Sequence, residues 1–158
     1  MELTIAVLEE LAATLCPDIR LLDCVNRCAG YSDQAHLFTG ETVLHTDINP
    51  ANTLICGYGA HFIDWAWPIR GASWVEPAIW VIRLIDAGHT PASAETWAGK
   101  LRTWDTAPAE SLTAFAHVNA HMWDEIAEQA PQGSNWQKHM AASAHAWADH
   151  REEADRWT

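Results

Sequence analysis

Lysine is scarce in this chain, and none occurs among the 44 residues before His45. The same stretch holds no Gly-x-Gly-x-x-Gly. A glycine-rich cover for nucleotide phosphates, with a lysine to pair them, is therefore not encoded there. No Gly-x-Ser-x-Gly occurs either, which excludes the nucleophile elbow of serine hydrolases. Basic residues are few, 9 against 21 acidic ones, for a net charge of −12. That balance argues against a nucleic-acid partner, which would need a basic face. It is compatible with a cationic small substrate, with a basic partner, or with solubility alone. Cys16, Cys24, Cys28 and Cys56 form no CxxC pair and no zinc-ribbon spacing, so buried reduced thiols are expected. No apolar run approaches the ~18 residues of a membrane span. Met1-Glu2-Leu3-Thr4 lacks the basic start of a secretory leader, and a cytoplasmic chain is expected.

What is present describes a globular domain. The 158 residues are 49% hydrophobic and 19% charged, and ten are tryptophan. One domain spanning residues 1–158 is expected, burying roughly 68–70% of its unfolded surface. Leu8, Leu11 and Leu15 fall at helical spacing, and Pro17 ends that first helix. A short helix around Leu21–Cys28, closed by Gly30, and a loop over Tyr31–Gly40 follow. Thr42-Val43-Leu44, Thr53-Leu54-Ile55-Cys56 and Ala60-His61-Phe62-Ile63 read as short strands. Gly57-Tyr58-Gly59 between the last two is a hairpin signal.

Everything after Gly71 reads as helix. Ser73 with Glu76 has the spacing of a capping box, which makes Glu76 a helix cap. Trp74 to Ile85 is apolar on nearly every side, as a buried helix would be. Thr90-Pro91 opens the next helix and Pro108 another, with Leu112, Phe115, Val118, Met122 and Ile126 in one stripe. Ser134 with Gln137 predicts a second capping box before a last helix to about Arg156. Most tryptophans are expected to anchor the core. Trp65, Trp67 and Trp74 are expected there too, with a substrate cleft as the alternative. His117 and His121 could share a metal, but without a following Glu they read better as surface histidines, like His139, His145 and His150.

The chemistry concentrates in His45-Thr46-Asp47-Ile48-Asn49-Pro50-Ala51-Asn52, followed by Asp64 in Phe62-Ile63-Asp64-Trp65. Phosphoryl transfer needs one carboxylate to orient or accept the proton of the attacking hydroxyl. It also needs oxygen ligands that hold Mg²⁺ against phosphates. Asp47, Asn52 and Asp64 offer those groups on a loop framed by strands, where catalytic groups tend to lie. The competing reading makes Asp47, Asn52 and Asp64 turn-capping residues.

Val43 to Trp67 resembles the catalytic core of the aminoglycoside phosphotransferase family, small-molecule kinases with a protein-kinase-like fold. Those enzymes carry His-Gly-Asp-x-x-x-x-Asn and then Ile-Asp-Trp or Ile-Asp-Phe, and Glu76-Pro77-Ala78 is similar to the family's acidic-Pro-Ala stretch. The resemblance implies a mainly α fold: the helical C-lobe of a kinase, with a small β-hairpin at the catalytic loop and the N-lobe absent. It implies a catalytic loop at 45–52 and a metal-binding hairpin end at 62–65. Asp47 would be the catalytic base and His45 a brace for the loop. Asn52 and Asp64 would bind Mg²⁺ and, through it, ATP or another nucleoside triphosphate. Thr46 departs from the family's Gly, and Asn49 from a frequent His. The implied partners are a small-molecule substrate and either an N-lobe-bearing chain or a second copy, with no nucleic acid and no membrane. The alternative is a kinase remnant that serves as a non-catalytic binding or interaction module.

Overall fold

A computed structural model of the chain describes residues 1–57 and 59–156. It is mainly α. Helices α1 (Glu2–Ala12), α2 (Cys24–Cys28), α3 (Val75–Asp86), α4 (Pro91–Ala98), α5 (Ala109–Glu128) and α6 (Trp136–Asp155) accompany two small sheets, on which α1 and α2 pack. The longest pair, α5 and α6, pack on each other and on α3, while α4 lies across α3 and α6. Among the described residues no helix is long and apolar enough to cross a membrane.

The sheets sit at one end of the helices. Strands β1 (Leu22–Asp23), β5 (Ile69–Gly71) and β2 (Thr42–Leu44) form one sheet with β5 in the middle. β5 runs parallel to β1 and antiparallel to β2, pairing Ile69 with both Leu22 and Leu44. Strands β3 (Thr53–Cys56) and β4 (Gly59–Phe62) form a separate antiparallel hairpin. Its strands fall where alternation and the Gly57-Tyr58-Gly59 signal place them, although Tyr58 itself lies outside the described residues.

Several expectations need correction. Two short strands fall outside the three expected ones: β1 occupies the start of the expected helix at 21–28, and β5 follows Pro68. Both are too short to show alternation and exist only through pairing, β5 with β2 and β1 with β5. The expected loop at 31–40 contains a 3₁₀ turn, Asp33–Phe38, opened by the Ser32 side chain, which accepts from the Gln34 N–H. Leu15 is exposed, because α1 ends at Ala12 before Leu15 can join Leu8 and Leu11 in the core. Thr90 does cap α4, accepting from the Ser93 N–H, with Pro91 at the first turn. Ser134 bonds the Gln137 side chain instead of a helix-end N–H, so that capping box does not close.

The core runs from the 3₁₀ turn to α6. Phe38, Trp74 and Phe115 meet edge to face with centroids 5.1–6.0 Å apart. Such pairs add about 0.5–1.5 kcal/mol each beyond the area they bury. Trp80 and Trp147 are buried as anchors, as is Trp74, but Trp65 and Trp67 are exposed, against the expectation of core packing. The expected surface histidines pair with acids: His117 with Glu152, His145 with Asp124 and His150 with Glu95. Cys24 and Cys28 are buried, whereas Cys16 and Cys56 are half-buried, and all four are free thiols.

Gly40 is required by close approach. A Cβ there would lie 2.4 Å from the Gly71 carbonyl oxygen, where the chain entering β2 passes β5. Neither backbone can yield without breaking the three-stranded sheet. Gly40→Ala should therefore destabilise the fold by about 1–3 kcal/mol, read as a lower urea midpoint. An unchanged midpoint would contradict this packing.

Candidate functional site

The loop at 45–52 is built around a buried carboxylate. Glu76, in the first turn of α3, is fully enclosed, and its two oxygens accept the backbone N–H groups of His45 and Thr46, the latter at 2.9 Å. This corrects the capping-box reading: Trp74 caps α3 without a side-chain bond, and Glu76 reaches across to the loop instead. Pairing β2 to β5 brings the start of the loop against α3, so Glu76 meets two N–H donors that no strand satisfies.

His45 is buried with both ring nitrogens engaged. Its Nε2 lies 2.8 Å from the Ile63 carbonyl, and its Nδ1 lies 3.2 Å from the Asp47 N–H. A carbonyl can only accept and an N–H can only donate, so Nε2 carries the proton and Nδ1 accepts. Trp65 meets the His45 ring edge to face at 4.7 Å. His45 thus braces the loop and offers no free nitrogen to a ligand.

Thr46 adopts φ +66°, a left-handed conformation unusual for a β-branched residue. The cost is about 1–2 kcal/mol. Three bonds hold it there: its N–H to Glu76, its hydroxyl to the Trp67 carbonyl at 2.7 Å, and the Arg27 guanidinium to that hydroxyl at 3.0 Å. Asp64 also has a left-handed backbone, φ +60°.

Asp47 is surrounded by donors. Its Oδ1 accepts from Arg83 at 3.1 Å and Asn49 at 3.0 Å, and its Oδ2 from Asn52 at 2.8 Å. A carboxylate has about four acceptor positions, so about one remains open. The side chain is 36% exposed, so that position is reachable. Asn52 is buried, and its amide nitrogen also bonds the Asp47 carbonyl at 3.1 Å. Those two bonds turn the Asn52 amide oxygen away from Asp47. Asn49 caps the 3₁₀ turn at Pro50–Asn52, accepting from the Ala51 and Asn52 N–H groups.

Asp64 reaches this group through the hairpin. The pairing of β3 and β4 continues one step, with the Ile63 N–H bonding the Asn52 carbonyl at 2.9 Å. Ile63 therefore joins Asn52 and His45, and Asp64 follows it, exposed and in no ion pair among the described residues. The structure thus links Asp47 directly to Asn52, and ties Ile63, the neighbour of Asp64, to Asn52 by backbone and to Asp47 through the His45 ring. Among the described residues no group of three or more His, Cys, Asp or Glu side chains is placed to hold a metal ion.

Two cations escape the sequence reading. Arg83 lies seven residues after Glu76, two helical turns along the same face of α3. Its signal was the lone basic residue in the mostly apolar run from Trp74 to Ile85. Arg27 had no such signal, since only the folding of α2 beneath the loop brings it to Thr46. The chain matches no family model, no curated protein and no solved structure.

Burial raises Glu76 from the ordinary 4.5 to about 7, against the N–H bonds of Thr46 and His45 and the charge of Arg27, which pull it down. Between those pH values the folded chain keeps a proton that the unfolded chain has released. The stability from this group is complete below pH 4.5 and is lost as pH rises through about 7. The loss amounts to about 3 kcal/mol. Urea unfolding at pH 5 and pH 8 should show wild type losing more stability than Glu76→Gln, whose amide does not titrate. Equal losses in the two proteins would contradict the buried ionisation.

Proposed function

We propose that this chain is the helical C-lobe of a kinase-like phosphotransferase that acts on a hydroxyl group of a small molecule. The observation that carries the reading is the bonded pair Asp47–Asn52, on a loop held by Glu76, with Asp64 tied to Asn52 through Ile63. In this reading Asp47 orients the acceptor hydroxyl and takes its proton at the one open position on its carboxylate. Arg83 and Asn49 fix the rotation of that carboxylate. His45 and Thr46 hold the backbone that presents it.

Asn52 and Asp64 would hold Mg²⁺. The donor set fits: an amide oxygen turned away from Asp47, and an exposed carboxylate without an ion-pair partner among the described residues. Mg²⁺ favours few protein oxygens together with waters and substrate phosphates. When bound, it neutralises charge on the nucleotide phosphates. No lysine precedes Lys100 in the sequence, so the cation that pairs those phosphates is proposed to come from a second unit. Leu54, Ile55 and Trp67 around the hairpin are more than half exposed, and this apolar surface supports docking of that unit there. The same surface favours the second reading, a non-catalytic interaction module.

The test is calorimetry with a non-hydrolysable ATP analogue, with and without Mg²⁺, and phosphate transfer in the presence of a compatible N-lobe. Asp64→Ala should weaken Mg²⁺-dependent binding at least tenfold. Asp47→Ala should leave nucleotide affinity within about twofold and lower transfer by about 10²–10⁴-fold. Mg²⁺-independent binding, or equal affinity in Asp64→Ala, would leave the interaction module as the better account.

A further inference from the structure

A cavity of about 70 Å³ lies between α2, α3, α5 and α6, beneath the loop. A single water needs only about 10–15 Å³ by the same measure. Its walls are mostly apolar, with Phe115, Met122 and Trp123 contributed by α5. This explains why the stripe on α5 does not end in the core: Met122 and Ile126 line the cavity, and Ile126 is exposed.

The polar lining has one sign. Arg27, Arg83, Asn119 and Thr46 contribute, and among the described residues no carboxylate does. Arg83 is only 17% exposed and under-used. One of its terminal nitrogens holds Asp47, and the other meets only the Met140 sulfur, a weak acceptor, at 3.3 Å. Its Nε is buried with no hydrogen-bond partner, and its guanidinium carbon lies 5.5 Å from the Trp123 ring centroid. A buried donor left unmet is costly, and an acceptor in the cavity would relieve it. Asn119 is 7% exposed, and its amide nitrogen is used by the Phe115 carbonyl. Two guanidiniums in an apolar cavity favour an anion with an apolar body, and they disfavour a polyamine.

We infer that the cavity seats a small hydroxy acid, its carboxylate on Arg83 and Arg27 and its ring or branched chain against Trp123 and Phe115. This deepens the phosphotransferase reading and rests on it for one point, that the occupant is the phosphoryl acceptor. The transfer balances simply: the acceptor oxygen bonds the γ-phosphorus, the bond to the β-phosphate oxygen breaks, and the hydroxyl proton goes to Asp47. Arg83 bridges the two places, since the guanidinium that lines the cavity also holds the Asp47 carboxylate. A monoanion of this kind departs from the cationic small substrate with which the net charge is compatible.

The test compares three molecules that share a benzyl group: 3-phenyllactate, its uncharged methyl ester, and the cationic phenylalaninol. Calorimetry without nucleotide should show 3-phenyllactate binding at least tenfold tighter than the other two. Arg83→Gln should weaken it tenfold or more and Arg27→Gln less, with circular dichroism confirming that each variant is folded. The wild-type ranking stands even if a variant unfolds. Ester or phenylalaninol binding as tightly as 3-phenyllactate, or no binding of any at millimolar concentration, would overturn the anion pocket while leaving the phosphotransferase reading intact. Tight 3-phenyllactate binding without transfer from MgATP, with an N-lobe supplied, supports the pocket and overturns the assignment of its occupant as the phosphoryl acceptor.

Discussion

The loop depends on one buried carboxylate. Glu76 is planted in the helical body and accepts two consecutive backbone N–H groups from a segment that otherwise has no sheet partner. Burial alone would expel its charge, and the two N–H bonds with the nearby Arg27 offset that cost only in part, leaving it near neutrality. A neutral residue of the same shape could not accept both donors in the same way, because an amide offers one oxygen only. The left-handed Thr46 and the direction of Asp47 both follow from this anchor. The strain at Thr46 persists because Glu76, Arg27 and the Trp67 carbonyl together over-determine its position.

Around that anchor the fold divides the chemistry between its two parts. The oxygen-bearing groups Asp47, Asn52 and Asp64 lie on the loop and at the open end of the hairpin, where backbone pairing sets their relation. The cationic and apolar groups lie on the helices, where packing sets theirs. Arg83 is the contact between the two parts. It leaves α3, holds Asp47, leans on Trp123, lines the cavity and keeps its buried Nε without a hydrogen-bond partner. Any occupant that takes part of Arg83 therefore changes the surroundings of Asp47.

Periodicity and local chemistry made much of this readable. The hairpin strands, the Thr90–Pro91 helix start and the spacing of Asp47, Asn52 and Asp64 depend on near neighbours, so they stand in the sequence. β1 and β5 did not, because two- and three-residue strands exist only through their pairing. Glu76 misled for a related reason: Ser-x-x-Glu is the same pattern whether the carboxylate turns back to its own helix or reaches across to another segment. Trp65 and Trp67 misled because hydrophobicity predicts burial, and nothing local tells that the segment after β4 is left exposed. Arg27 was invisible, since its partner Thr46 lies 19 residues away.

The central claim is that Asn52 and Asp64, presented by the Glu76-anchored loop, form one metal–nucleotide site. Manganese is a paramagnetic substitute for Mg²⁺, and its bound position can be mapped by the broadening of backbone amide signals in NMR. With a non-hydrolysable ATP analogue present, substoichiometric Mn²⁺ should broaden the amides of Asn52 and Asp64 before those elsewhere. The chain carries a net charge of −12, so a cation without a specific site would spread over its acidic surface. Broadening spread in that way, with no preference for Asn52 and Asp64, would contradict the account.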